Sequence, residues 1–125
     1  MAAHDDVSVV PGRAGGPARW AVVGRHVSGI VLLVVVPVHL ALTRVFEDPA
    51  RMTVPTVRAR WEQPGWRVLE CLLFVATAVH VTASVWCATS ERSTPAGRTA
   101  VRATVALVAT AVAVFGCAVV VSEPW

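Results

Sequence analysis

Three long stretches of this chain contain no Asp, Glu, Lys or Arg: Arg25 to Arg44, Glu70 to Glu91, and Arg102 to Glu123. Each gap holds roughly 18–20 residues, enough as a helix to cross a hydrocarbon core of about 30 Å. Lipid offers the backbone no hydrogen-bonding partner, so such runs fold as helices rather than irregular chain. The expected fold class is all-α, an integral membrane protein with three transmembrane helices.

The helices are expected at about 20–44, 65–90 and 99–122. Residues 1–19, with Asp5, Asp6 and a Pro-Gly-Arg-Ala-Gly-Gly-Pro run, read as a flexible tail. Residues 20–125 form the three-helix transmembrane domain. The first connection, with Asp48-Pro49, Pro55 and Pro64, reads as a loop. The second is the short polar link Glu91 to Arg98. No internal repeat is visible. The first span is too long for the apolar core of a signal peptide and follows a polar tail, unlike a leader.

Composition narrows the function classes. Of 125 residues, 55% are hydrophobic and 15% charged, less charge than a soluble domain carries. Net charge is +3 and every cation is Arg, a balance that does not argue for nucleic acid. Arg-only, Ala/Val-heavy usage suggests a GC-rich bacterial genome. Cys71, Cys87 and Cys117 are isolated within the spans, without a C-x-x-C or a disulfide frame, and read as small apolar residues. Trp20, Trp66, Trp86 and Trp125 fall near helix ends, where amphipathic rings anchor at the interface.

Against this background two histidines stand out. His39 closes the apolar run 29–39, and His80 lies within the apolar run 72–82. Ionisable groups at such depth are expensive and face a partner, a cofactor or a water path. Imidazole is a ligand of haem iron, so the pair raises a redox hypothesis. The alternative is a neutral imidazole bonded to a helix backbone or a nearby hydroxyl.

Helical spacing arranges their neighbours. Ser28 and His39 share nearly one face of the first helix, with Arg25 close to it and Leu32 and Val36 between. Pro37 removes a backbone hydrogen bond and should kink the helix just before His39. His26 points elsewhere and reads as a boundary histidine. In the second helix Thr77, His80, Ser84 and Cys87 share a face, flanked by Ala76 and Ala83. Those alanines either make room for a flat group beside His80 or serve plain helix packing. The third helix, with small residues at Ala106, Ala109, Ala113, Gly116 and Cys117, reads as a packing helix.

Over about residues 24–122 the chain resembles the hydrophobic membrane anchor subunit of succinate dehydrogenase, of the cytochrome b556 type, especially actinobacterial forms. The matching features are Arg25-His-Val-Ser28-Gly29, the Val38-His39-Leu40 end of the first helix, Arg60-Trp61-Glu-Gln-Pro64-Gly-Trp66, and the position of His80. After His80 the family often carries a Gly-rich stretch, an Arg and an Asp-Tyr pair. Here it reads Val-Thr-Ala-Ser-Val-Trp-Cys-Ala-Thr-Ser-Glu91, and the chain has no tyrosine, so no quinone-contacting tyrosine carries over.

The resemblance implies a part in a hetero-oligomeric helical bundle with a second membrane anchor subunit, an iron–sulfur subunit and a flavoprotein subunit. Electrons from succinate would pass through the iron–sulfur clusters to a quinone, menaquinone in forms like this. His39 and His80 are the implied axial ligands of haem b iron. Arg25 and Ser28 are the candidate quinone contacts, a guanidinium and a hydroxyl suited to a quinone oxygen. The competing reading has Arg25 snorkelling to phosphates and Ser28 packing. No flavin or iron–sulfur motif occurs in this chain, so it is expected to hold no catalytic residue and to show no activity alone. The implied location is the bacterial cytoplasmic membrane, with the N-terminus inside. On that orientation six arginines lie inside and five outside.

Depth bears on haem number. His39 lies five positions before Arg44, and His80 thirteen after Arg67, at the loop ends of antiparallel helices. The difference is about 12 Å, too large for two ligands of one iron. Two haems are therefore expected, each shared with the partner subunit. A non-redox three-helix scaffold and a haem-free, quinone-binding anchor are the alternatives.

Overall fold

The structure, a computed structural model, describes residues 18–44, 49–92 and 94–122. Its elements are α1 (Arg19–Arg44), a 3-10 turn (Pro49–Arg51), α2 (Val54–Trp61), α3 (Pro64–Arg92) and α4 (Pro95–Ser122). No strand occurs among the described residues. Helices α1, α3 and α4 are each long and apolar enough to cross a membrane. The chain is an all-α, multi-pass membrane protein, as the charge-free runs predict. The expected tail over residues 1–17, and Trp125, lie outside the described residues.

Prolines set the helix starts. The expected loop contains α2, with Pro55 in its first turn, where a missing N–H costs nothing. At the far end of α2 the Glu62 N–H bonds to the Arg58 carbonyl at 3.1 Å, and the Gln63 N–H bonds to that of Arg60 at 3.1 Å. Pro64 then opens α3, and Pro95 opens α4 four residues before the expected start. Pro37 does not interrupt α1, which runs through it as continuous helix.

Helix α3 is the middle of the molecule. It packs against α1 on one side and α4 on the other, while α1 and α4 scarcely touch. The α1–α3 seam is built from small side chains, with Ala21, Ala76 and Ala83 buried. A Cβ added to Gly24 would meet the Ala83 Cβ at 3.6 Å, an ordinary contact. Ala76 and Ala83 are packed within this helix pair. In lipid such seams are held by close van der Waals approach rather than by water exclusion. On the α4 side the approach is closer still. A Cβ at Gly116 would fall 2.8 Å from the Phe74 ring.

The end near Trp86 is tied by polar contacts. Arg102 of α4 donates through Nε to Thr89 Oγ1, and through Nη2 to the Trp86 carbonyl and Ser90 Oγ, each at 2.8 Å. Its guanidinium also lies 4.4 Å from the centroid of the Trp86 ring. Trp86 in turn meets Trp20 of α1 edge to face at 5.0 Å. One arginine therefore binds the last turns of α3 to the first turns of α4. Outward-facing Leu33, Leu107 and Phe115 are largely exposed, as lipid-facing positions require.

Candidate functional site: two histidines on the α1–α3 seam

His80 meets α1 at Ser28. The Ser28 hydroxyl lies 2.6 Å from the Gly24 carbonyl oxygen, 3.3 Å from that of Arg25, and 3.2 Å from His80 Nδ1. A hydroxyl has one proton. The shortest contact is to a carbonyl, which can only accept, so that proton goes to Gly24. The hydroxyl oxygen is then left to accept, a role that the Nδ1–H tautomer of His80 would fill. His80 Nε2 has no hydrogen-bond partner among the described residues. Gly29 lies opposite the ring. A Cβ there would lie 3.4 Å from His80 Cε1 and 3.7 Å from Nδ1.

His39 sits at the loop end of the same seam. Its Nδ1 is 3.7 Å from Glu70 Oε1, with the two side chains 24% and 21% exposed. That distance is ion-pair range rather than a hydrogen bond, and His39 Nδ1 is buried without a hydrogen-bond partner. The ring meets Trp66 edge to face at 6.1 Å, and the Arg60 guanidinium lies 4.8 Å from the Trp66 ring centroid. Arg67 donates Nε to the Trp61 carbonyl at 2.6 Å, fixing the turn between α2 and α3 beside this group.

The two histidines lie at different depths. His80 is level with Ser28, eleven positions from His39 on α1. Glu70, opposite His39, is ten positions from His80 on α3. At ~1.5 Å per residue both routes give about 15–16 Å, more than the 12 Å expected from the loop ends. The two imidazoles are not brought together.

Ser28 is buried at 5% exposure, with its hydroxyl 2.6 Å from the Gly24 carbonyl oxygen. Arg25 is exposed near the Trp20 end of α1. His26 is also exposed and donates Nδ1–H to the Val22 carbonyl at 2.7 Å, consistent with a boundary residue.

Glu70 is the residue sequence reasoning passed over. It served only to mark the edge of a charge-free run. Yet it lies three positions after Arg67, while His39 lies five before Arg44, so loop counting already places the two at similar depth. On α3, at about 100° per residue, Trp66, Thr77, His80 and Ser84 share one flank. Glu70 and Thr77 also line a 620 Å³ apolar groove that continues this flank to Thr104, Val105 and Ala109 of α4. No group of three or more metal-ligating side chains occurs among the described residues.

The donor set fits two imidazole ligands that act separately. A metal-bound histidine typically turns its other ring nitrogen to a hydroxyl, carbonyl or carboxylate that holds the ring. His80 has Nδ1 so placed, on Ser28, while His39 Nδ1 faces Glu70 at 3.7 Å without a hydrogen bond. The fold and this arrangement define the chain as a helical membrane protein with two oriented intramembrane imidazoles. No family model matches the chain, and no curated protein or solved structure matches it.

Proposed function

We propose that the chain is a membrane anchor subunit of a succinate:quinone oxidoreductase, contributing His80 and His39 as ligands to haem b shared with a second anchor subunit. The observation that carries this reading is the contact of His80 Nδ1 with the Ser28 hydroxyl at 3.2 Å, which orients the ring and leaves Nε2 without a hydrogen-bond partner among the described residues. Haem supplies a one-electron carrier when bound. The chain's own residues orient the rings, exclude water along the α1–α3 seam and separate the two ligands in depth.

That separation favours two haems over one. A single iron takes its two axial ligands at one depth, and about 15–16 Å of helix separates these. Each histidine then needs its counterpart from the partner subunit. The polar flank of α3, with Thr77, Ser84 and the Glu70 groove, is where a partner helix or a quinone tail would lie. Arg25 and Ser28 are the proposed quinone contacts, with Ser28 also beside His80 Nδ1. The iron–sulfur and flavoprotein subunits would dock at the Arg25 end, with the N-terminus on the cytoplasmic side of a bacterial cytoplasmic membrane and menaquinone as the acceptor.

The test is a reduced-minus-oxidised visible spectrum, with haem stoichiometry, on the complex purified through a tag on this chain. Two haem b per complex are expected. A complex that co-purifies with flavoprotein and iron–sulfur subunits but lacks a Soret band would leave a haem-free anchor. Absence of both the subunits and the band would leave a scaffold.

A further inference from the structure

The three described cysteines are not equivalent. Cys71 and Cys87 lie on α3, and Cys117 lies on α4. Helices α3 and α4 form a hairpin closed at the Arg102–Trp86 end. Moving away from that end, Gly116 abuts Phe74, and one residue further Cys117 meets Cys71. Cys117 Sγ lies 3.9 Å from the Cys71 carbonyl oxygen, and the Cys71 thiol has the Cys117 thiol as its hydrogen-bond neighbour. The absence of a side chain at Gly116 makes room for the Phe74 ring beside this pair. Cys87 is sixteen positions from Cys71, about 24 Å along the helix, and neither α1 nor α4 carries a cysteine at its level.

The pair also lies where an oxidant can reach it. Cys71 is one turn beyond Arg67, the first charged residue of α3, and Cys117 is five residues before the end of α4 at Ser122. Both are about 8–11 Å inside their helix ends, and neither is fully buried.

We propose that Cys71 and Cys117 are joined as a disulfide in the mature protein, clamping the open end of the α3–α4 hairpin across a separation of 46 positions. The proposal rests on the N-terminus-inside orientation given above, which puts this end on the oxidising side of the membrane. The oxidant is a reactive disulfide on that side, carried by a protein or a small molecule. The thiolate of one cysteine attacks it, forming a mixed disulfide and releasing one oxidant thiolate. The thiolate of the other cysteine then displaces the second oxidant thiolate. Two electrons and two protons leave the cysteines, and the oxidant departs as a dithiol.

The experiment uses the full chain in its own membrane. Cells are quenched in acid and denatured, free thiols are blocked with light N-ethylmaleimide, disulfides are reduced, and the new thiols take an isotopically heavy maleimide before peptide mass spectrometry. Cys71 and Cys117 are expected to carry the heavy label and Cys87 the light one. Cys71→Ser should move Cys117 to the light label, whereas Cys87→Ser should change nothing. Light label on both Cys71 and Cys117 overturns the proposal. A phosphatase fusion at the N-terminus then says which premise failed. An inactive fusion, with the N-terminus inside, condemns the disulfide itself. An active one condemns the orientation beneath it.

Discussion

His80 and His39 lie on one helix pair, yet they are held in different ways. His80 is set within the seam, its Nδ1 on a buried neutral hydroxyl and a glycine opposite the ring. His39 sits near the connecting loop, its Nδ1 near a carboxylate and its ring edge to face with a tryptophan. A hydroxyl orients an imidazole without changing its charge environment much. A carboxylate also raises the basicity of the ring. If both rings ligate iron, the His39 centre should have the lower reduction potential on this ground. Two imidazoles of one helix pair thus face different groups from the opposing helix, a hydroxyl and a carboxylate.

The sharpest way to break this comparison is to remove each ring. His80→Ala and His39→Ala should each abolish one haem and spare the other, read as half the wild-type Soret amplitude per complex. Loss of both haems in either variant would mean that the sites are not independent. Next in size is Ser28→Ala, which leaves a buried Nδ1–H without its acceptor at a cost of about 1–3 kcal/mol. Thermal unfolding in detergent should show the loss, and the His80 centre should lose occupancy first. Glu70→Gln keeps the side-chain volume and removes the charge. It should raise the midpoint potential of the His39 centre alone in a redox titration, with stability nearly unchanged. Smallest of all is Gly29→Ala, because the added methyl finds an ordinary contact at 3.4 Å from His80. Its effect on unfolding should stay within about 0.5 kcal/mol, and a much larger loss would mean that the ring is held more tightly than the geometry implies.

The fold was legible because its cause is local. A run of some 20 uncharged residues is a transmembrane helix whatever surrounds it. The misread parts were those where proline carries two meanings. Pro55 was taken for a loop residue, although proline also suits the first turn of a helix, and α2 begins there. Pro95 extended α4 beyond its expected start for the same reason. At the site, helical periodicity correctly grouped Ser28 with the His39 face of α1, and His80 with Thr77 and Ser84 on α3. It could not pair Ser28 with His80, because that contact depends on the register between two helices. Gly24 meets Ala83 and Gly29 meets His80 across the seam, pairings that appear only once the two helices are docked. Glu70 could have been found by the depth count applied to the histidines, had acidic residues been counted as site candidates and not only as boundaries.

Because α3 packs between α1 and α4, the order of the layer is also the order of synthesis. A ribosome releasing this chain delivers α1 first, with its glycine face and Ser28 exposed to lipid. When α3 follows, carrying His80 and Glu70, the groups that engage them are already in the bilayer. The last helix brings no ionisable residue through the bilayer centre and needs only a surface to close upon. Assembly can therefore proceed hairpin by hairpin, and the costliest side chains of α3 do not have to wait in lipid for a helix that has yet to be made.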